Sequence, residues 1–162
     1  MNIKIIIQKY HLLKPSEKVM ILMGVFGLFP FIFGLIDIWI NNENFYFLIN
    51  IPKNYGTIIL AFLGGIYWGI ALNSQNAKTQ NNKLRVFLII WSILPSMLCI
   101  YVLSMKQIAS VLLLSFGFLL SILVDEIFNK YLRFPIWYLF LRRSLSLLVI
   151  LILITSYFIL KK

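Results

Sequence analysis

The sequence predicts an all-α integral membrane protein, a bundle of five transmembrane helices with its N-terminus cytoplasmic and its C-terminus outside. Three observations carry that prediction. Hydrophobic residues make up 61% of the 162-residue chain and charged residues 12%, with a mean hydropathy of +0.92. A soluble domain has about 45–50% and about 25% respectively, so this chain has too few polar side chains to cover a water-exposed globule. Five apolar runs each approach the roughly 20 residues needed to cross about 30 Å of hydrocarbon. Finally, Lys and Arg are distributed unevenly between the two sets of span ends.

The first span covers residues 19–40 and is closed by Asn41, Asn42, Glu43 and Asn44. The semi-polar stretch 45–55, with Pro52, reads as an interfacial connection to a short second span at 56–72. Polar residues 73–85 end it, and 86–104 forms the third. Met105, Lys106 and Gln107 leave so short a link that 108–128 must return antiparallel beside the third span. Residues 129–133 interrupt the fourth, and the last helix, 135–160, opens on Pro135, a favoured first helical residue.

Residues 1–18 form a basic N-terminal segment ahead of a single transmembrane domain, 19–162. Ile3, Ile6, Ile7, Tyr10 and Leu13 recur at helical spacing opposite Lys4, Gln8 and His11. That spacing predicts an amphipathic helix over 2–14 lying on the inner surface, a disordered basic tail being the alternative. The first span is too long for a removable signal peptide and lacks a small-residue cleavage site, so the mature chain is read from Met1.

Basic residues near span ends are retained on the cytoplasmic side. Eleven lie on the N-terminal face (Lys4, Lys9, Lys14, Lys18, Lys78, Lys83, Arg85, Lys130, Arg133, Arg142 and Arg143) and four on the other (Lys53, Lys106, Lys161 and Lys162). Trp39 falls at the outer end of span one, and Trp68 and Trp137 at inner ends, as interfacial rings prefer; Trp91 lies deeper and needs packing. The net charge of +10 is spread over short inner segments, which meets a topological need and excludes a nucleic-acid partner. The same residues suit contact with anionic membrane lipid.

Between helices in lipid, association relies on close backbone approach and on interhelical hydrogen bonds. Ala61, Gly65 and Gly69 are spaced four apart, with Gly64 as a second point of approach, and this face is expected to point inward. Gly117, Ser121 and Asp125 align with Ser110 on the fourth span, Ser92, Ser96 and Cys99 on the third, and Gly27, Pro30, Gly34 and Asp37 on the first. Pro30 and Pro95 fall near mid-span, where each predicts a kink that frees the carbonyl four residues earlier. Asp37, a turn from its span end, is expected to be solvated.

Intramembrane charge is the strongest pointer to a functional region. Asp125 and Glu126 lie near the inner end of span four, and Arg142 and Arg143 lie about two turns into the last helix, also near its inner end. A charge at the bilayer centre costs about 2.5–3.5 kcal/mol on insertion scales, so these groups are expected to pair or snorkel. The expectation is an Asp125–Arg142 ion pair, with Arg143 reaching headgroups. Tyr67 and Trp68, at the matching end of span two, complete the candidate cluster. One cysteine, Cys99, excludes an internal disulfide, and the single His11 excludes a multi-histidine metal centre. No metal or cofactor is expected.

Taken together, Gly27-Leu28-Phe29-Pro30-Phe31, the run from Ala61 to Gly69 with its GGxxWG element, Leu94-Pro95-Ser96, Asp125 and the WYxxLR element from Trp137 to Arg142 resemble the family of transmembrane protein sixty-nine. These are multi-pass proteins of bacteria and mitochondria with no characterised activity. The resemblance implies a bacterial inner (cytoplasmic) membrane location, or alternatively the mitochondrial inner membrane. In that family's pattern a histidine follows the paired glycines by two positions; Tyr67 stands there, which removes an imidazole from any proton-transfer role.

Three function classes compete. Packing stripes on most spans and no reactive cluster favour a non-enzymatic membrane component that binds a protein partner or a second copy of itself. Pro30, Pro95 and the Asp125–Arg142 region motivate a small oligomeric transporter or channel. A lipid-binding or lipid-modifying protein is the third, with Arg142 and Arg143 as headgroup ligands, although no acid/base pair of hydrolytic spacing is visible. The topology has a direct test in a Cys99→Ala background. A membrane-impermeant thiol reagent should label Lys162→Cys on intact cells and Lys130→Cys only after the membrane is opened; the reverse pattern would invert the assignment.

Overall fold

A computed structural model of the chain describes residues 13–40, 50–73 and 82–161. The amphipathic helix expected over 2–14 falls almost entirely outside the described residues. The described residues form six α-helices: α1 (Pro15–Phe26), α2 (Phe29–Ile40), α3 (Ile51–Asn73), α4 (Asn82–Ser104), α5 (Gln107–Leu132) and α6 (Ile136–Leu160). With α1 and α2 taken together as Pro15–Ile40, five helical segments are long and apolar enough to cross a membrane. Leu, Ile, Phe and Val side chains stand exposed on every helix, including Phe33, Phe62, Phe87, Phe116 and Phe158. A surface of this kind belongs in hydrocarbon rather than water.

The first span is interrupted at its expected proline. Pro30 carries no N–H for the Phe26 carbonyl, and the helical hydrogen bonding is interrupted just before it. The Gly27 N–H closes α1 onto Met23 O at 3.0 Å, and the Leu28 N–H reaches Val25 O at 3.0 Å. Pro30 then occupies the first turn of α2, where a missing N–H removes no helical bond. Pro95, by contrast, lies buried inside a continuous α4. At the start of α1, Pro15 is followed by Glu17, whose Oε2 accepts the Lys14 N–H at 2.8 Å.

Other boundaries also move. The stretch 45–55 is not simply a connection, because α3 already begins at Ile51 and carries Pro52, Lys53 and Tyr55 in its first two turns. Lys53 explains part of this early start: its buried ammonium donates to Leu103 O at 3.4 Å and Met105 O at 3.1 Å. A cation there satisfies carbonyls left open at the C-terminus of α4 and meets the negative end of its dipole. At the other end of the bundle α5 continues to Leu132 and stops at Arg133, in the left-handed region at φ 51°. The Asn129 side chain supports this turn by accepting the Phe134 N–H at 3.0 Å, and Pro135 caps α6.

The helices form a ring. α3 packs against α2, α4 and α5; α5 against α3, α4 and α6; and α6 against α5, α2 and α1. The centre is filled by Phe31 of α2, Leu60 of α3, Val102 of α4, Leu114 and Phe118 of α5 and Leu153 of α6. A second cluster of Tyr67, Ala71, Leu88 and Phe128 lies toward the α5–α6 turn, with Trp91 packed against it. Buried serines cost little because they bond within their own helix, as Ser115 Oγ does to Val111 O (2.9 Å) and Ser156 Oγ to Ile152 O (2.9 Å).

The face of α3 differs from the expected one. Gly56, Leu60, Gly64, Tyr67 and Ala71 are buried, whereas Gly65 and Gly69 are exposed with nothing near them and Ala61 is only half-buried. A Cβ on Gly64 would lie 2.8 Å from the Ser92 carbonyl oxygen and 2.9 Å from the Pro95 ring, so α3 crosses α4 at this glycine. A Cβ on Gly117 would lie 2.5 Å from Leu60, fixing the α3–α5 approach in the same way. Adjacent residues on a helix point about 100° apart, so a one-residue difference turns the whole stripe away from the core.

The paired glycines should therefore respond oppositely to a methyl group. In thermal unfolding of the detergent-solubilised monomer, Gly64→Ala should cost about 1–3 kcal/mol through overpacking against α4. Gly65→Ala should be neutral or stabilising by up to about 1 kcal/mol, from helix propensity alone.

Candidate functional site

α5 and α6 form an antiparallel hairpin about the Arg133–Pro135 turn, and their facing positions carry the charged groups. Ser121 and Asp125, four apart on α5, share one face; Tyr138 and Arg142, four apart on α6, share the face opposite. Asp125 lies seven residues before the end of α5, hence about 10 Å from the turn along the axis. Tyr67 reaches the same point from α3.

The expected Asp125–Arg142 pair is present and bidentate. Arg142 Nε donates to Asp125 Oδ2 at 2.8 Å and Nη2 donates to Oδ1 at 2.7 Å. This is the fork geometry that a guanidinium makes with a carboxylate and a lysine does not. Nη2 also donates to Ser121 Oγ at 3.3 Å, and the Tyr67 hydroxyl donates to Asp125 Oδ1. The guanidinium carbon lies 5.9 Å from the centroid of the Tyr138 ring, within cation–π range. Asp125 and Arg142 retain only 4% and 6% of their exposure. Phe128 and Phe134 pack against Tyr67 with ring centroids 4.9 and 6.4 Å away, closing the cluster with aromatic carbon.

The cluster is electrically neutral, and its polar groups are largely committed. Both carboxylate oxygens accept hydrogen bonds, and the tyrosine proton is spent on one of them. Arg142 Nη1 is buried without a hydrogen-bond partner among the described residues. An arrangement with its base already engaged by a guanidinium and a phenol holds three helices in register, but offers no free general base or nucleophile.

The other members of the expected cluster separate from it. Glu126 and Arg143 form a second ion pair one residue further round each helix, on the exposed side, with side chains 38% and 49% exposed. Arg143 is therefore partnered within the chain instead of reaching headgroups alone. Trp68 is 46% exposed, on the outer side of α3 with Gly65 and Gly69, and takes no part in the buried cluster. Asp37 is 8% exposed, buried rather than solvated. On the predicted packing faces, Gly64, Gly117 and Ser121 are buried as expected, and Gly65 and Gly69 are not.

Two polar contacts escaped the sequence reading. Glu17 Oε1 accepts the Trp137 indole N–H at 3.1 Å, tying α1 to α6 near the α5–α6 turn. Its signal was the proline–x–glutamate start of α1, which marks a capping acid whose second oxygen is left over. The burial of Lys53 had no comparable signal, because a lysine in a semi-polar stretch reads as solvated. Among the described residues no group of three or more His, Cys, Asp or Glu side chains could hold a metal ion.

Breaking the buried pair from one side leaves an uncompensated charge, so Asp125→Asn or Arg142→Gln should each destabilise the protein by about 3–5 kcal/mol in thermal unfolding. Tyr67→Phe should cost about 1–2 kcal/mol. Glu126→Gln and Arg143→Gln should each cost less than either change in the buried pair, because both side chains are more than a third exposed and near enough to the helix ends to snorkel.

No curated protein and no solved structure matches the chain. A family model described as a protein of unknown function, DUF3429, matches residues 16–158, from the first turn of α1 to the last turn of α6, and the chain belongs to that family.

Proposed function

We propose that this protein is a non-enzymatic component of a membrane assembly, and that its partner is a second copy of itself docked through the outward face of α3. It sits in the bacterial inner membrane with its N-terminus cytoplasmic and its C-terminus outside, as the asymmetry of Lys and Arg supports. The sequence resemblance to the family of transmembrane protein sixty-nine supports the same location.

The observation that carries this reading is the orientation of α3. Gly65 and Gly69 are exposed, and no atom lies within 4 Å of where either Cβ would be. Glycine in a helix costs about 1 kcal/mol relative to alanine, and here the chain gains no internal contact in return. Two glycines spaced four apart leave a shallow strip of bare backbone bordered by Trp68, on which an identical strip fits across a two-fold axis. The buried cluster supports the absence of catalysis, since its carboxylate is engaged on both oxygens.

Disulfide trapping in native membranes tests the assignment in a Cys99→Ala background. Gly65→Cys and Gly69→Cys should each give a covalent dimer on mild oxidation, and Gly64→Cys should not. Monomer alone from both outward positions would sink the self-association reading, and a heteromeric adduct would replace the second copy with a different membrane protein.

A further inference from the structure

α1 is the least embedded helix of the bundle. None of its residues is buried, whereas α2, α3, α4, α5 and α6 each bury several. It approaches α6 closely at Gly24, where a Cβ would lie 2.9 Å from the Leu145 side chain and 3.5 Å from that of Leu141. One end of α1 is fastened to the start of α6, where Glu17 Oε1 accepts the Trp137 indole N–H at 3.1 Å. The other end is the interruption before Pro30. There the Leu28 N–H turns back to Val25 O at 3.0 Å, the Ile32 N–H reaches Leu28 O at 3.0 Å, and the proline between them has no N–H to offer.

Few buried contacts mark the elements of a protein that open at the lowest cost. In hydrocarbon such an element does not fray, because a freed backbone group finds no water to bond. The low-cost motion of α1 is therefore a swing as a rigid rod about its break with α2. Its 12 residues make a rod of about 18 Å, so a swing of about 30° carries the Glu17 end about 9 Å from α6. Trp137 stays behind in such a motion. Its ring meets that of Tyr138 with centroids 5.9 Å apart, and the Tyr138 ring centroid lies 5.9 Å from the Arg142 guanidinium carbon, so the α6 side of the bond belongs to the rigid cluster.

We infer that α1 is a strap, hinged at Gly27 and Leu28 and latched by the Glu17–Trp137 hydrogen bond, that opens and closes over Leu141 and Leu145 while α2 to α6 keep their positions. The strap lies on α6 and the exposed glycines lie on α3, so it stands or falls independently of self-association.

Paired spin labels read by double electron–electron resonance test the strap in a Cys99→Ala background. The full chain is reconstituted in phosphatidylcholine vesicles and diluted with unlabelled chain, so that only distances within one molecule are read. Labels at Val19→Cys of α1 and Ile127→Cys of α5 follow the strap, and labels at Phe33→Cys of α2 and Leu112→Cys of α5 follow the rest of the first span; all four positions are exposed. The Val19–Ile127 pair should show a main distance and a minor one longer by roughly 5–10 Å, and the Phe33–Leu112 pair a single distance. Trp137→Phe keeps the ring and deletes its N–H. It should raise the open-to-closed ratio by about tenfold, the lower range for a hydrogen bond to a charged group. Glu17→Ala should do the same, and the double variant should add nothing to either, because all three remove one bond. A single narrow Val19–Ile127 distance in the parent chain and both variants, a Phe33–Leu112 distance that broadens with it, or additive effects of the two substitutions would overturn the strap.

Discussion

The ion pair between Asp125 and Arg142 sets the frame for the rest of the molecule. Two charges buried in an apolar bundle are tolerable only if each neutralises the other with good geometry and the remaining polar atoms find partners. The bidentate fork fixes the α5–α6 hairpin in a single register, since a shift of one residue would swap the buried pair for Glu126 and Arg143. The Tyr67 hydroxyl extends the constraint to α3. Once Tyr67 faces the carboxylate, the rotation of α3 is decided, and Gly64 rather than Gly65 meets α4.

A second constraint is the accounting of backbone polar groups where water is scarce. The chain meets it with local devices that differ at each end of the bundle. The Lys53 ammonium covers the last carbonyls of α4, the Asn129 side chain covers an amide beyond α5, and Glu17 covers the entry to α1. At the break between α1 and α2, Gly27 and Leu28 close the first helix while Pro30 starts the second at a position that needs no donor. These devices let the connections at Arg133–Pro135 and Met105–Lys106 remain short.

Inside and outside carry different chemistry. The interior holds a neutral polar cluster, serines bonded to their own helices and a layer of interlocked leucine, valine and phenylalanine. Outside, two features are unlike the uniformly bulky surface of the remaining helices: the bare-backbone strip at Gly65 and Gly69, and an apolar hollow. They lie on different helices, the first on α3 and the second between α4 and α5.

Much of this was legible in the residue order. Span number and approximate limits followed from run length, because a membrane helix must bury some 20 apolar residues in succession. The pairing of Asp125 with Arg142 followed from the cost of intramembrane charge and the shortness of the α5–α6 link. Helix rotation was not legible for α3, because Gly64 and Gly65 are equally small and spacing alone cannot say which one approaches a neighbour. That choice depends on atoms of α4 and α5, namely the Ser92 carbonyl, the Pro95 ring and the Asp125 carboxylate, which lie far away in sequence. The same holds for Lys53 and Asp37, whose burial is set by where other helices end and pass. Sequence by itself determined the number of segments long and apolar enough to span a membrane and their strongest electrostatic tie. Tertiary structure decided which face of each helix looks inward, since that is a property of contacts between segments and not of any segment alone.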